Sequence, residues 1–108
     1  MEVTVLNTNL RNNIAGAIYG FAIGDAMGAT TEFMTHLQIR KQFHKVENII
    51  GGGWLHIRPG QVTDDTEMTM CVMDALMHQP HDEVLFEMAC AKNFKEWYKS
   101  NPKDIKRC

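Results

Sequence analysis

The strongest structural signal in the chain is residues 10–28, which read LRNNIAGAIYGFAIGDAMG. Apolar or small side chains recur there at intervals of three and four, the period of an α-helix with one buried stripe. They are Leu10, Ile14, Ala17, Ile18, Phe21 and Ala22. An Asn or Thr at positions 7–9 is placed to cap this helix, and the glycines at 24–28 are expected to end it.

Glycines recur every four residues along the same helix: Gly16, Gly20, Gly24 and Gly28. A glycine in a helix interior costs about 1 kcal/mol relative to alanine, so a compensating gain is expected. Stacked small residues let a second backbone approach closely. The spacing therefore predicts a helix packed tightly in the middle of other helices.

Three further helices are predicted downstream of this one. The first covers residues 35–43, with the Thr at position 35 as its cap. In the next, Asp64 and Glu67 resemble a capping box, and the helix ends before Pro80. The last covers about residues 82–99. Because the chain shows no convincing period-2 strand and no repeat, we predict an all-α fold, a small helical bundle.

Residues 46–62, between the second and third helices, carry turn and loop signals. Irregular segments of this length are uncommon in compact domains and are more often functional than not. The run Gly51–Gly53 is not followed by the Lys and Ser or Thr of a phosphate-binding loop. We therefore predict a flexible turn at these glycines.

Composition excludes several classes of protein. The chain has 108 residues and is 44% hydrophobic, which suits one folded domain and is too apolar for disorder. Its net charge of −2 does not indicate the excess of basic residues that is typical of nucleic-acid-binding proteins. Glycines and Asp25 interrupt the most apolar stretch, which argues against a signal peptide or a membrane span. Three widely spaced cysteines predict neither a disulfide framework nor a thiolate zinc site, so the cytosol is the expected compartment.

Thr63, Asp64, Asp65 and Thr66 place two carboxylates and two hydroxyls at the start of the third helix. Hard cations such as Mg²⁺ prefer oxygen ligands of this kind. Successive helical residues point about 100° apart, so three of them reach one ion only where the backbone is irregular, which the preceding loop permits. Ordinary N-capping explains the same residues without a metal, because Thr, Asp and negative charge all suit a helix N-terminus.

Asp25 and Glu32 place two carboxylates seven residues apart around the end of the first helix. A pair of acids can serve glycoside chemistry, with one handling the leaving group and the other activating water or stabilising an oxocarbenium-like transition state. The alternative is that Asp25 caps a turn and Glu32 is a solvated charge.

In combination, these motifs resemble the ADP-ribosylglycohydrolase family, the relatives of dinitrogenase-reductase-activating glycohydrolase. The matching residues are Gly16-x-x-x-Gly20-x-x-x-Gly24-Asp25-Ala26-x-Gly28-x-x-x-Glu32-Phe33 and Gly60-x-x-Thr63-Asp64-Asp65-Thr66-x-Met68. Further on, Trp97, Pro102 and Asp104-Ile105 look like the family's helix-ending Trp and its P-x-D-I-G element. The resemblance covers about residues 10–105.

The resemblance implies an all-α bundle that holds a pair of Mg²⁺ ions and hydrolyses the bond between ADP-ribose and a protein side chain. The implied positions are Thr63, Asp64 and Asp65 for the metal, Glu32 and Asp104 for catalysis, and Asp25, Gly28 and Gly60 for an ADP-ribose-type substrate. The side chains implied for metal binding and catalysis all act through oxygen atoms, and the histidines show no metal-binding spacing.

The chain also departs from the family pattern. Family domains are more than twice as long, their second half supplies further metal ligands, and Lys106 stands where the family usually has Gly. Two carboxylates and one hydroxyl do not fill two near-octahedral Mg²⁺ shells. We therefore expect a single truncated domain over residues 1–108 with an incomplete metal site.

Truncation is expected to leave apolar helix faces exposed. Met68 is expected in the core, whereas Met70, Met73 and Met77 form a second stripe that a small bundle is not expected to bury fully. We therefore expect a protein partner or a second copy of the chain, in a homo-oligomer, to cover these apolar faces. Two functions stay open: an ADP-ribosyl hydrolase completed by a second polypeptide, or a catalytically incomplete binding module, such as an inhibitor or adaptor from a phage or mobile element.

Overall fold

A computed structural model describes residues 7–102 of the chain. Within this range the helices are α1 (Thr8–Gly28), α2 (His36–Phe43), α3 (Asp64–His78) and α4 (Glu83–Lys99). No strand is present among these residues, and the one isolated β-bridge there pairs Gly52 with Ile57. The all-α prediction is confirmed. The predicted catalytic Asp104 lies outside the described residues.

Local capping explains where three of these helices begin. The side chain of Asn7 accepts a hydrogen bond from the Leu10 amide at 2.7 Å and caps α1. Thr35 caps α2 in a reciprocal capping box with Gln38. Asp82 caps α4. Short polar side chains at these positions satisfy amides that have no partner inside the helix.

The start of α3 differs from the prediction. Its N-cap is Thr63, which makes no side-chain capping bond within α3, so the predicted capping box of Asp64 and Glu67 is wrong. Asp64 is already helical, and the Glu67 carboxylate instead accepts a hydrogen bond from Trp97 Nε1 at 2.7 Å.

α3 and α4 form an antiparallel pair. Trp97 donates a hydrogen bond to Glu67, and Asn93 Nδ2 donates to the Cys71 carbonyl at 2.9 Å. Residues later in α4 therefore pair with residues earlier in α3. Ala75, on α3, is 1% exposed. None of the helices in residues 7–102 has the length and apolar character needed to cross a membrane.

The glycine stripe of α1 is not covered by another backbone. A Cβ placed on Gly16, Gly20, Gly24 or Gly28 would meet no heavy atom within 4 Å outside the local helix in the described structure. The prediction of a centrally packed helix is therefore wrong for residues 7–102. The physical reason is that α1 meets α3 only near its C-terminal end, where Ala26 is 2% exposed, while Ile14 is 45% exposed.

A small apolar core joins the segment predicted to be an irregular loop to the end of α1. Ala29, Leu55 and Ile57 form it, and Trp54 packs against it. Gly53 has φ +71°, and a Cβ there would lie 2.2 Å from the Ala29 carbonyl oxygen. Only glycine permits this approach without displacing the backbone. The predicted turn is present at residues 53–56, and Gly53 places it against the end of α1.

Candidate functional site

The Asp25 carboxylate joins α1 to the start of α3. Its Oδ2 accepts hydrogen bonds from the amides of Thr63 at 2.8 Å and Thr66 at 3.2 Å. The Thr63 hydroxyl donates to Oδ1 at 2.5 Å and the Thr66 hydroxyl donates to Oδ2 at 2.6 Å. Asp25 thus does for α3 what a local N-cap does for other helices, although it lies 38 residues before Thr63.

Charge at Asp25 is stabilised by these donors. Burial raises the pKa of the Asp25 carboxyl, but the hydrogen bonds from Thr63 and Thr66 to its charged form outweigh that effect, and the pKa lies below its ordinary value. The carboxylate is therefore ionised at neutral pH.

Acid is expected to destabilise the fold through this carboxylate. Because the folded-state pKa of Asp25 is lower than the ordinary 3.8, its stabilising contribution is present above that value and is lost as the pH falls through the folded pKa. Unfolding in urea, followed by circular dichroism between neutral pH and pH about 3, measures the loss. Asp25→Asn should remove this part of the acid dependence. An identical acid dependence in both proteins would contradict the assignment.

A cavity of about 540 Å³ opens between the end of α1 and the start of α3. The described residues that line it are Gly20, Phe21, Gly24, Asp25, Gly28, Ala29, Thr31, Glu32, Thr63 and Asp65. It brings together predicted site residues that are up to 40 positions apart in sequence, namely Asp25, Gly28, Glu32, Thr63 and Asp65. Three carboxylates and two threonine residues thus share one cavity with a wall of glycine.

Two of the predicted site residues lie outside the lining of this cavity. Asp64 is half-buried at the first position of α3. Gly60 has φ +84° in a turn in which the Gln61 amide donates to the Arg58 carbonyl at 3.0 Å. With Pro59 before it, this is the turn position that favours glycine for its backbone conformation. The turn accounts for Gly60 without a ligand.

The acidic residues concentrate negative charge at the start of α3. Burial, together with the carboxylates of Asp64, Asp25 and Glu32, raises the pKa of Asp65 above its ordinary value. A cation in the cavity would relieve this repulsion. The charge pattern therefore favours binding of a positive ion or a positively charged group beside Asp65.

The donor set agrees with Mg²⁺ in its chemistry. The Thr63 hydroxyl donates its hydrogen bond to Asp25, which leaves the lone pairs of the hydroxyl oxygen for another partner. Asp64 and Asp65 add carboxylate oxygens, the ligands that Mg²⁺ prefers. Residues 7–102 contain no group of three His, Cys, Asp or Glu side chains arranged to hold a metal. Thr63, Asp64 and Asp65 thus have the donor chemistry for part of a Mg²⁺ shell.

Sequence reasoning missed two residues at this site. Thr66 belongs to the acidic and hydroxyl-bearing run and to the family motif, but its contact with Asp25 depends on packing between α1 and α3. Trp54 falls in the segment predicted to be an irregular loop, yet its Nε1 donates to Glu32 Oε2 at 2.8 Å. A single Trp directly after three glycines was the available signal.

Comparison with known proteins defines the class to which this site belongs. The sequence model of the ADP-ribosylglycohydrolases matches residues 6–108. The chain belongs to the ADP-ribosylglycohydrolase family, and the resemblance seen in the motifs is confirmed.

Relatives agree with this assignment. The chain is 39% identical over 97 residues to the ADP-ribosyl-(dinitrogen reductase) glycohydrolase of Rhodospirillum rubrum, covering 90% of this chain and 32% of that protein. It is 31% identical over 104 residues to a putative ADP-ribosyl glycohydrolase of Acanthamoeba polyphaga mimivirus, covering 93% and 31%. A 60-residue match to the ADP-ribosylarginine hydrolase of Serratia proteamaculans is 43% identical and covers 56% and 15%. The chain spans about a third of the first two relatives.

Proposed function

We propose that this chain forms one wall of a Mg²⁺-dependent site that hydrolyses the glycosidic bond between ADP-ribose and a protein side chain. The observation that carries the proposal is the cavity in which Glu32, Thr63 and Asp65 face the same space. Family membership and the names of the relatives support the reaction class and an ADP-ribose-type ligand.

Thr63, Asp64 and Asp65 are the residues that would hold the metal. When bound, Mg²⁺ would supply positive charge for the ribose hydroxyl oxygens and the reacting centre. Water, substrate oxygens or residues from the rest of the site would complete the ion's shell. Asp25 would orient Thr63 for metal binding, because it accepts hydrogen bonds from both the backbone amide and the hydroxyl of Thr63.

The remaining carboxylates would manage protons and charge. We assign Glu32 to the attacking water or to the oxocarbenium-like transition state, with Asp104 as the second acid. In the reaction, water adds to the anomeric carbon, the bond from that carbon to the acceptor atom breaks, and a proton passes to the leaving group. We assign Gly28, in the cavity wall, to the substrate side of the site, whereas Asp25 supports Thr63 and the turn at Gly60 needs no ligand.

The direct test is release of ADP-ribose by the purified chain. Arg-linked and Ser-linked ADP-ribosylated substrates are incubated with the protein in Mg²⁺ or in EDTA, and free ADP-ribose is measured by chromatography. We expect release that requires Mg²⁺. No release from either linkage, with or without the metal, would overturn the proposed function for this chain.

A second candidate function is a binding module, such as an inhibitor or adaptor. Exposed methionines on α3 favour it: Met70 is 52% exposed and Met77 is 78% exposed. Met68 and Met73 are half-buried. Adjacent exposed apolar side chains are typical of surfaces that contact another protein.

Negative charge at Met70 and Met77, the exposed methionine surface of α3, is expected to abolish association. We predict that Met70→Glu together with Met77→Glu converts any dimer to monomer, since the apolar contact is replaced by like charges facing each other. Sedimentation velocity over a range of concentrations measures this. Val84→Glu, a change at a 64% exposed position on α4, is the control and should leave the mass unchanged. A mass unaffected by the methionine changes would contradict the proposed surface.

We also place the protein in the cytosol. Cys71 and Cys90 are free thiols in the structure. Burial, with the nearby carboxylates of Asp74 and Glu67, raises the pKa of the Cys71 thiol. A protonated thiol is poorly reactive, which suits a structural cysteine in a reducing compartment.

A further inference from the structure

Glu32 lies on the ridge between two cavities. It lines the cavity of about 540 Å³ beside Asp65 and also a second cavity of about 440 Å³ whose walls include Phe33 and Trp54. Its side chain is exposed. An exposed Glu samples several rotamers, and ordering one of them costs conformational entropy. A carboxylate that must act at one reacting atom therefore needs a partner that holds it.

Trp54 is that partner. Its indole Nε1 donates to Glu32 Oε2 at 2.8 Å. The Phe33 ring meets the indole edge to face, with centroids 5.2 Å apart and planes at 69°. Such a pair adds packing energy beyond buried area. An uncharged donor fixes the direction of the carboxylate without placing a full positive charge beside it.

The two partners lie on segments that are fixed to each other. The Thr30 hydroxyl, two residues before Glu32, donates to the Gly51 carbonyl at 2.9 Å. Gly53, directly before Trp54, lies against the Ala29 carbonyl, and Leu55, directly after Trp54, is 1% exposed. The indole is thus supported on both sides along the chain. Its position relative to Glu32 is set by backbone packing.

We propose that Trp54 is a positioning residue that fixes the Glu32 carboxylate on the ridge between the two cavities, oriented for the reaction. This inference rests on the proposed function and deepens it. The same molecule contains a matched contact, from Trp97 Nε1 to Glu67 Oε2 at 2.7 Å. Neither Trp97 nor Glu67 lines either of the cavities beside Glu32.

The first test does not depend on turnover. The chain has two tryptophans, so an amide correlation spectrum shows two indole N–H resonances, assigned with Trp54→Phe and Trp97→Phe. We expect Glu32→Gln to move the Trp54 indole proton upfield, because a bond to a neutral acceptor is weaker than one to a carboxylate. Glu67→Gln should move only the Trp97 resonance. A Trp54 resonance unmoved by Glu32→Gln would overturn the proposal.

The second test separates positioning from folding. Trp54→Phe keeps an aromatic ring against Phe33 and loses the donor. We expect kcat to fall about tenfold, with KM changed less than twofold, as for a misplaced catalytic group. The change should cause no further loss in a Glu32→Gln background. An equal further loss there, or an effect on KM alone, would overturn the proposal. If the unchanged chain releases no ADP-ribose, the proposed function fails, while the indole resonances still decide whether Trp54 holds Glu32.

Discussion

Asp25→Asn is expected to lower the free energy of unfolding by about 2 to 3 kcal/mol and to abolish release of ADP-ribose. The Asp25 carboxylate accepts four hydrogen bonds from Thr63 and Thr66. An asparagine has one acceptor oxygen and no charge, so the amides and hydroxyls compete for a single, weaker partner. The start of α3, which carries the proposed metal ligands, then loses its attachment to α1.

Urea denaturation and the release assay measure the two effects of Asp25→Asn. The matched control is Asp82→Asn, because Asp82 caps α4 locally through the Leu85 amide and asparagine is about as good a local cap. We expect this control to change the unfolding free energy by less than about 0.5 kcal/mol and to leave ADP-ribose release unchanged. Equal effects of the two substitutions would show that Asp25 has no special role.

Asp64→Ala is expected to reduce ADP-ribose release by about 100-fold or more while the fold is preserved. Asp64 is half-buried at the first helical position of α3, and the hydrogen bonds that hold this end of α3 come from Thr63 and Thr66. Loss of its carboxylate removes a proposed metal ligand, so Mg²⁺ is bound less tightly. Circular dichroism checks the fold, and titration calorimetry with Mg²⁺ measures the binding.

Asp74→Ala is the control for this prediction, because it removes an exposed carboxylate from the same helix at the end that faces Asn93. We expect it to leave both Mg²⁺ binding and ADP-ribose release within about twofold of the unchanged chain, as for a surface carboxylate far from the site. Full activity in Asp64→Ala would contradict its role in the metal site. Function that survives Asp64→Ala but is lost on charging Met70 and Met77 would instead support the binding module.

The helices were predictable because their signals are local. The caps at Asn7, Thr35 and Asp82 and the apolar period lie within a few residues of the helices they define. The start of α3 was mispredicted because its donors are satisfied by Asp25, from another helix. No local pattern reports a partner at that distance. The core at Leu55 and Ile57 was missed for a related reason, since these residues sit in a glycine-rich loop without any regular period.

The site was predictable in its composition and less so in its contacts. The motifs identified Glu32, Thr63 and Asp65, and the structure brings these three to one cavity. The assignment of each to metal, catalysis or substrate stays a prediction. The contact between Trp54 and Glu32 spans 22 positions and depends on how the loop folds back on α1, which the sequence does not show.

The glycine wall of the cavity beside Asp65 has an energetic consequence for any ligand. Gly20, Gly24 and Gly28 present bare backbone to this space. Ordering a long side chain at a binding surface costs about 0.5 to 1.5 kcal/mol, and a wall without side chains avoids that entropic cost. Recognition along the glycine wall would then depend on shape, and the carboxylates that share the cavity would supply selectivity for chemical groups.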